Sequence, residues 1–353
     1  MKPKIGLVYL NRKAEGIKPV ERFICSYKNF DPGVDHEFIT VYKGFTGSEM
    51  HIAKKIFQNI EDRQITVNDE MTDIDSYLIA AESFHDIEIF FFLNTFSEIR
   101  KDGWLSFFFR AISIKDVGLV GATGSYESIL TSNLLNSKVI WLTSHHFLRY
   151  NKLIHKQYKS IIEKHTPHWV KKSSISWMLS SVQGNAVNYR KVEKYDPSFD
   201  TFWKTLTGDD GCFAFLNDSP SFPNPHVRSN AFMIKREHLL PIIAAKSGIM
   251  NKNSSYLFES GKRGLTNQIR SKGLRAVLVN NIGEIFDIRD WPKSQTFRLG
   301  KQEGLLIHDN QTRKFDDLTP EEKDILAYMT WGNSLKCSSN GIFTFGISFD
   351  MEF

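Results

Sequence analysis

Chemistry in this chain concentrates where predicted β-strands end. In an open parallel sheet, ligands bind beyond the carboxyl ends of the strands, and three such ends carry polar residues. Asn11 and Arg12 follow the first strand, Asn94-Thr95-Phe96-Ser97 follow the third, and Gly121-Ala122-Thr123-Gly124 follow the fourth. Farther along, His226, Arg228 and Asn230 lie on or just before another apolar strand. The planar guanidinium of Arg228 could hold a diphosphate or an acidic sugar, or join a buried ion pair. Asp209-Asp210, flanked by Gly208 and Gly211, is the one adjacent acid pair on a glycine-flanked loop, and reads either as weak metal-ligand candidates or as an acidic surface turn. Val117–Glu127 (VGLVGATGSYE) invites a dinucleotide reading, but Glu127 stands where the third glycine belongs and would repel a pyrophosphate. A glycine-permitted turn accounts for it better.

Short apolar segments alternate with helical periodicity to position these residues. Residues 4–10, Glu37–Tyr42, Ile87–Leu93 and Val117–Val120 read as strands. A helix led by Pro19, a short helix over Ser76–Phe84 and an aromatic helix around Trp104–Ile112 intervene. The second half continues with strands at Ala231–Ile234 and Ala276–Val279, a mostly helical Phe258–Ser271, and a helix started by Pro320. Strands too apolar to face water imply a mainly parallel, Rossmann-like sheet with helices on both faces, followed by a less regular C-terminal part.

The 353 residues are 41% hydrophobic and 24% charged, enough for a large core and against wholesale disorder. Three dispersed cysteines, Cys25, Cys212 and Cys337, supply neither a zinc site nor a disulfide framework and suit a reducing compartment. No apolar run approaches the roughly 20 residues of a membrane span, so a cytoplasmic protein is expected. The net charge of +5 is uneven: residues 145–172 hold seven Lys or Arg against Glu163 alone. That segment reads as a basic amphipathic helix, either a solvated face or a patch for an anionic membrane surface. Its five histidines lack the pairing a metal site needs. Nucleic acid is not expected as a partner, because no recognition motif is present.

Several segments together resemble a known family. Asp73-Ile74-Asp75-Ser76-Tyr77-Leu78, an Ala-Ala helix, and IFFFLNTF are similar in order to the family-two type of GT-A nucleotide-sugar glycosyltransferase. Arg228–Glu237 (RSNAFMIKRE) resembles that family's acceptor strand, and Phe258-Glu259-Ser260 through Thr266, Arg270, Gly273 and Ala276–Val279 resembles its acid-bearing helix and following strand. Residues 223–228 and 309–313 are similar to bacterial polysaccharide-synthesis transferases of the rhamnan kind. The resemblance implies a GT-A-like fold with a nucleotide-sugar-binding half over 1–130, an acceptor-binding and catalytic half over 131–290, and a C-terminal extension over 291–353. It implies a UDP- or dTDP-sugar donor, contacted by Asn11, Arg12, Asp73, Asp75, Asn94, Thr95 and Ser97, and a glycan or lipid-linked glycan acceptor. Glu259 would be the base of an inverting transfer, with Lys262 and Arg263 beside it to offset phosphate charge; without the resemblance, Glu259 reads as an N-terminal helix carboxylate and Asp73 and Asp75 as helix caps. The family's Asp-x-Asp metal motif is replaced here by Asn94-Thr95-Phe96, which leaves a divalent metal in doubt. A sugar-binding relative without activity and an NAD(P)-dependent oxidoreductase are the alternatives.

Overall fold

A computed structural model describes residues 3–134, 137, 197–244, 248 and 250–332. The basic segment 145–172 and its histidines therefore lie outside the described residues. The chain divides into two compact units, Met1–Tyr126 with Pro225–Thr319, and Glu127–Asn224 with Pro320–Phe353.

In the first unit the chain runs through β1 (Ile5–Arg12), α1 (Ile17–Asn29), β2 (Glu37–Lys43), α2 (Gly47–Lys55), β3 (Asp62–Val67), α3 (Asp73–Ser83), β4 (Ile89–Leu93), β5 (Glu98–Ile99), α4 (Trp104–Ile112), β6 (Val117–Gly121) and β7 (Gly124–Ser125). It returns as β8 (His226–Val227), β9 (Ala231–Lys235), β10 (Arg275–Val279), β11 (Ile285–Phe286) and β12 (Ile307–His308), with helices between β9 and β10 and after β12. Eight strands form one sheet in the order β11-β10-β6-β9-β4-β1-β2-β3. β1, β2, β3 and β4 pair in parallel, as do β6 and β10, while β9 runs antiparallel between β4 and β6. The expected α/β architecture with a mainly parallel sheet is what forms.

Alternation along β4 shows why helices cover both faces. All five residues of Ile89–Leu93 are buried, and successive side chains point to opposite sides. Phe91 packs against Trp104 and Phe108 of α4, with ring centroids 5.8 and 4.6 Å apart. Phe92 turns the other way, onto Tyr77 of α3 at 4.9 Å and Phe232 of β9 at 5.1 Å. On the α4 side, Tyr9 stacks on Phe23 of α1 at 3.8 Å. An all-apolar central strand is stable only when both faces are covered in this way.

Four differences from the sequence reading have local causes. β9 is antiparallel, a direction that its apolar residues do not encode. The polar stretch after β2 contains α2 and the edge strand β3, whose residues are exposed or partly buried up to the buried Val67. Phe258–Ser271 is two helices, Lys252–Ser260 and Leu265–Ser271, divided by a turn from Gly261 to Gly264. α3 begins at Asp73, three residues earlier than expected, because Thr72 caps it. The Thr72 side chain accepts the Asp75 N–H, and the Asp75 carboxylate accepts the Thr72 N–H.

In the second unit, the helix Pro197–Thr207 carries Phe199 and Trp203, whose rings lie 6.5 Å apart. Trp203 also meets Phe213 at 6.3 Å, and the Ser128 hydroxyl donates to the Pro220 carbonyl at 2.6 Å. Among the described residues, no helix is long and apolar enough to cross a membrane.

Candidate active site

The carboxyl edge of the first unit's sheet opens into a cleft of about 500 Å³. Its walls are Arg12 from the end of β1, Lys43 from the end of β2, residues 69–74 leading into α3, Ser229 ahead of β9, and Lys252, Ser255, Tyr256 and Glu259 from one helix. Arg12 and Lys43 reach the edge because the apolar runs before them must stay inside the sheet. The five residues Phe38–Tyr42 hold β2 in the core, so the next residue, Lys43, comes to its rim.

Lys43 is nevertheless 2% exposed, and its ammonium lies 3.1 Å from the Asp73 carboxylate, which is 46% exposed. Glu259 sits in the last turn of the helix Lys252–Ser260, where the helix dipole disfavours a carboxylate. It is held there by Ser229, whose backbone N–H donates at 2.6 Å and whose hydroxyl donates to the same oxygen. Two donors on one carboxylate oxygen fix its direction. Beneath them the Tyr77 phenol is buried, and burial first, then the charges of Asp73 and Glu259 among its neighbours, push its pKa well up. Arg12 reaches Glu15 at 3.1 Å and Asp69 at 3.5 Å. The cleft thus brings together a buried ammonium, an oriented carboxylate and the face of Tyr256, an arrangement able to hold a charged ligand and accept a proton from a hydroxyl.

Of the residues singled out from sequence, the cleft gathers Arg12, Asp73 and Glu259. Asp75 is 1% exposed and also accepts the Met250 N–H at 3.1 Å, completing a cap rather than lining the cleft. Asn94 closes its own turn: its side-chain oxygen accepts the Phe96 N–H at 3.1 Å and the Ser97 hydroxyl at 3.0 Å. The Thr95 hydroxyl donates to the Leu10 carbonyl at 2.7 Å, and both Thr95 and Ser97 are buried. Asn11 and Asn230 are buried beside this turn, with side-chain amide nitrogens that have no hydrogen-bond partner among the described residues. His226 is buried in β8, paired across to Ser125.

Arg228 takes the ion-pair alternative. Its guanidinium lies 3.2 Å from the fully buried Asp309 and 3.9 Å from the ring centre of Phe297. Lys262 and Arg263 are exposed on the turn after the Glu259 helix and do not line the cleft. Asp209 and Asp210 are exposed on a turn of the second unit. Gly121 and Gly124 are packed, not open: an added Cβ would fall 2.5 Å from Val227 at the first and 2.8 Å from Trp291 at the second. A pyrophosphate has no room there.

The divalent metal of the resembled family meets a poor donor set. Asn94 offers a neutral side-chain oxygen already engaged twice, the Phe96 side chain offers none, and hard cations are usually held by at least one carboxylate. No group of three or more His, Cys, Asp or Glu among the described residues could hold a metal ion. These residues do not fit a bound Mg²⁺ or Mn²⁺.

Sequence reasoning missed Lys43, Ser229, Lys252 and Tyr256. The rule of strand carboxyl ends finds Lys43 when it is applied to β2 as well. Ser229 carries no local signal, since its role depends on a helix 30 residues away.

No protein-family model and no curated protein matches the sequence. Solved structures do align in part. The mannosyltransferase PcManGT from Pyrobaculum calidifontis, in complex with GDP-Man and Mn²⁺, is 12% identical, with a TM-score of 0.30 over 34% of this chain and 35% of that one. S. aureus TarS 1–349 with UDP-GlcNAc is 15% identical, with a TM-score of 0.28 over 33% of each chain. GalNAc-T7 with UDP, GalNAc and Mn²⁺ is 13% identical, with a TM-score of 0.28 over 34% of this chain and 22% of that one. The chain therefore spans about a third or less of the structures it matches, and overlaps so partial carry no functional weight.

Proposed function

We propose that this protein is a glycosyltransferase that moves a sugar from a nucleotide-sugar donor to an acceptor hydroxyl. The observation that carries the reading is Glu259, fixed by Ser229 at the carboxyl edge of a mainly parallel sheet and facing the same cleft as Arg12, Lys43 and Lys252. Glu259 takes the proton of the acceptor hydroxyl as its oxygen bonds to the anomeric carbon. The bond from that carbon to the diphosphate oxygen breaks on the opposite side, and the nucleoside diphosphate leaves with the electron pair. With Glu259 as the base and direct displacement at the anomeric carbon, the transfer inverts that centre. The sequence resemblance supports a UDP- or dTDP-sugar as donor and a glycan or lipid-linked glycan of cell-surface polysaccharide as acceptor. The charge pattern of residues 145–172 supports a role for that segment at an anionic membrane surface.

The test is nucleotide release from a panel of UDP- and dTDP-sugars with glycan acceptors, alongside equilibrium binding of each donor. Glu259→Gln should lower kcat by about 10²–10⁴-fold, the usual contribution of a positioned base, while donor Kd stays within a few-fold. Full activity in that variant, or a protein that binds no nucleotide sugar, overturns the reading. A binding-only reading draws on the closed turn at Asn94 and predicts donor binding without release.

A further inference from the structure

The ion pair between Lys43 and Asp73 is lopsided in burial. Lys43 is 2% exposed and Asp73 46%. Lys43 is fixed at both flanks, since β2 is in register with Arg12 of β1 on one side and Val67 of β3 on the other. Its ammonium has three donors, and Asp73 is its single acceptor among the described residues. A charge so buried needs a counter-ion at every moment, because an uncompensated one is strongly unfavourable.

Asp73 is under no such constraint. It is the first residue of α3, but the cap of that helix is made by Thr72 and Asp75. Half in water, its carboxylate is rehydrated when it swings away, so the lysine stays and Asp73 can leave once another anion takes its place beside the ammonium.

Resting on the glycosyltransferase reading, we propose that Asp73 is a placeholder. In the free protein it occupies the position of an anionic oxygen of the donor's diphosphate, and that diphosphate displaces it from Lys43 on binding. The buried ammonium then does the work usually given to a divalent cation, which the residues at Asn94–Ser97 do not fit. Net charge does not draw the ligand in, because the cleft is lined by three cations and four acids. The exchange of one counter-ion for a more highly charged one does.

Isothermal titration of the full chain with inorganic pyrophosphate and with UDP, in EDTA and then with Mn²⁺, tests this. Pyrophosphate should bind in EDTA. Asp73→Asn should tighten it about tenfold by removing the competitor, Lys43→Met should weaken it at least tenfold, and Lys43→Arg should retain most of the affinity. Binding that appears only with Mn²⁺, or an Asp73→Asn variant with unchanged or weaker pyrophosphate affinity, overturns the proposal. Asp73→Asn leaves the buried Lys43 ammonium without its counter-ion, so urea denaturation is run with and without pyrophosphate, which should stabilise this variant more than the parent. Asp73→Glu, which keeps the charge, should bind pyrophosphate as the parent does. The two readings fail separately. Metal-free pyrophosphate binding with no sugar transfer to any acceptor leaves the pair and removes the transferase, whereas Mn²⁺-dependent transfer with an indifferent Asp73 does the reverse.

Discussion

Arg228 shows how an isolated side chain can look like ligand chemistry and be architecture. Its guanidinium sits between Asp309, which is 0% exposed, and the face of Phe297, with the Thr123 hydroxyl at 3.3 Å. Replacing it leaves a carboxylate without its cation inside the protein, a change that costs about 3–5 kcal/mol. Arg228→Met is therefore expected to lose stability on that scale in urea denaturation, and Arg228→Met/Asp309→Asn to recover part of it. A single variant as stable as the parent, with ligand affinity lost, would return Arg228 to the binding site. Lys43 is the opposite case. A lysine after an apolar strand reads as an ordinary solvated end, and burial to 2% is set by segments far away in sequence.

Thr72 links helix architecture to the cleft. Its hydroxyl donates to Asp75 at 2.8 Å and accepts the Asp75 N–H at 3.2 Å, and Thr72 itself lines the cleft wall. Thr72→Ala should cost about 1 kcal/mol, the usual value of a lost N-cap, read as a shift in denaturation midpoint with an unchanged slope. No shift would mean that Asp75 alone starts α3. The segments that sequence located well, β1, β2, β4, β6 and α4, are those whose apolar pattern is dictated by two-sided or one-sided burial. What escaped was set by other terms. β3 is a polar edge strand, the direction of β9 depends on the connection before it, and the break at Gly261–Gly264 follows from turn geometry within a helical pattern. Likewise Glu259 was legible as a residue by resemblance, while its anchoring by Ser229 was not.

Across the molecule, acid sensitivity follows from burial of neutral histidine. His308 has its pKa lowered, first by burial and then by Arg100 and Arg313, against the opposing pull of Asp316 and Glu98. His36 and His238 are lowered by burial as well. A histidine whose folded pKa lies below its unfolded value of about 6.5 binds fewer protons when native, so stability is complete above that pH and declines as pH falls through the folded value. Tm should therefore drop between pH 7.5 and 5, and His308→Gln should flatten part of the slope. A profile unchanged by that variant would assign the loss elsewhere. At lower pH the exposed cluster of Asp86 with Lys4 and Arg63 acts in the same direction, since both cations hold the Asp86 carboxyl well below its usual range. Its contribution is small and screened by salt.

Where the first unit breaks off and resumes, β7 and β8 run side by side, Gly124 opposite Val227 and Ser125 opposite His226. The polypeptide thus departs and re-enters at neighbouring points, like a loop of thread leaving and rejoining a seam. Loops inserted between points this close are accommodated without altering the register of any strand in the large sheet.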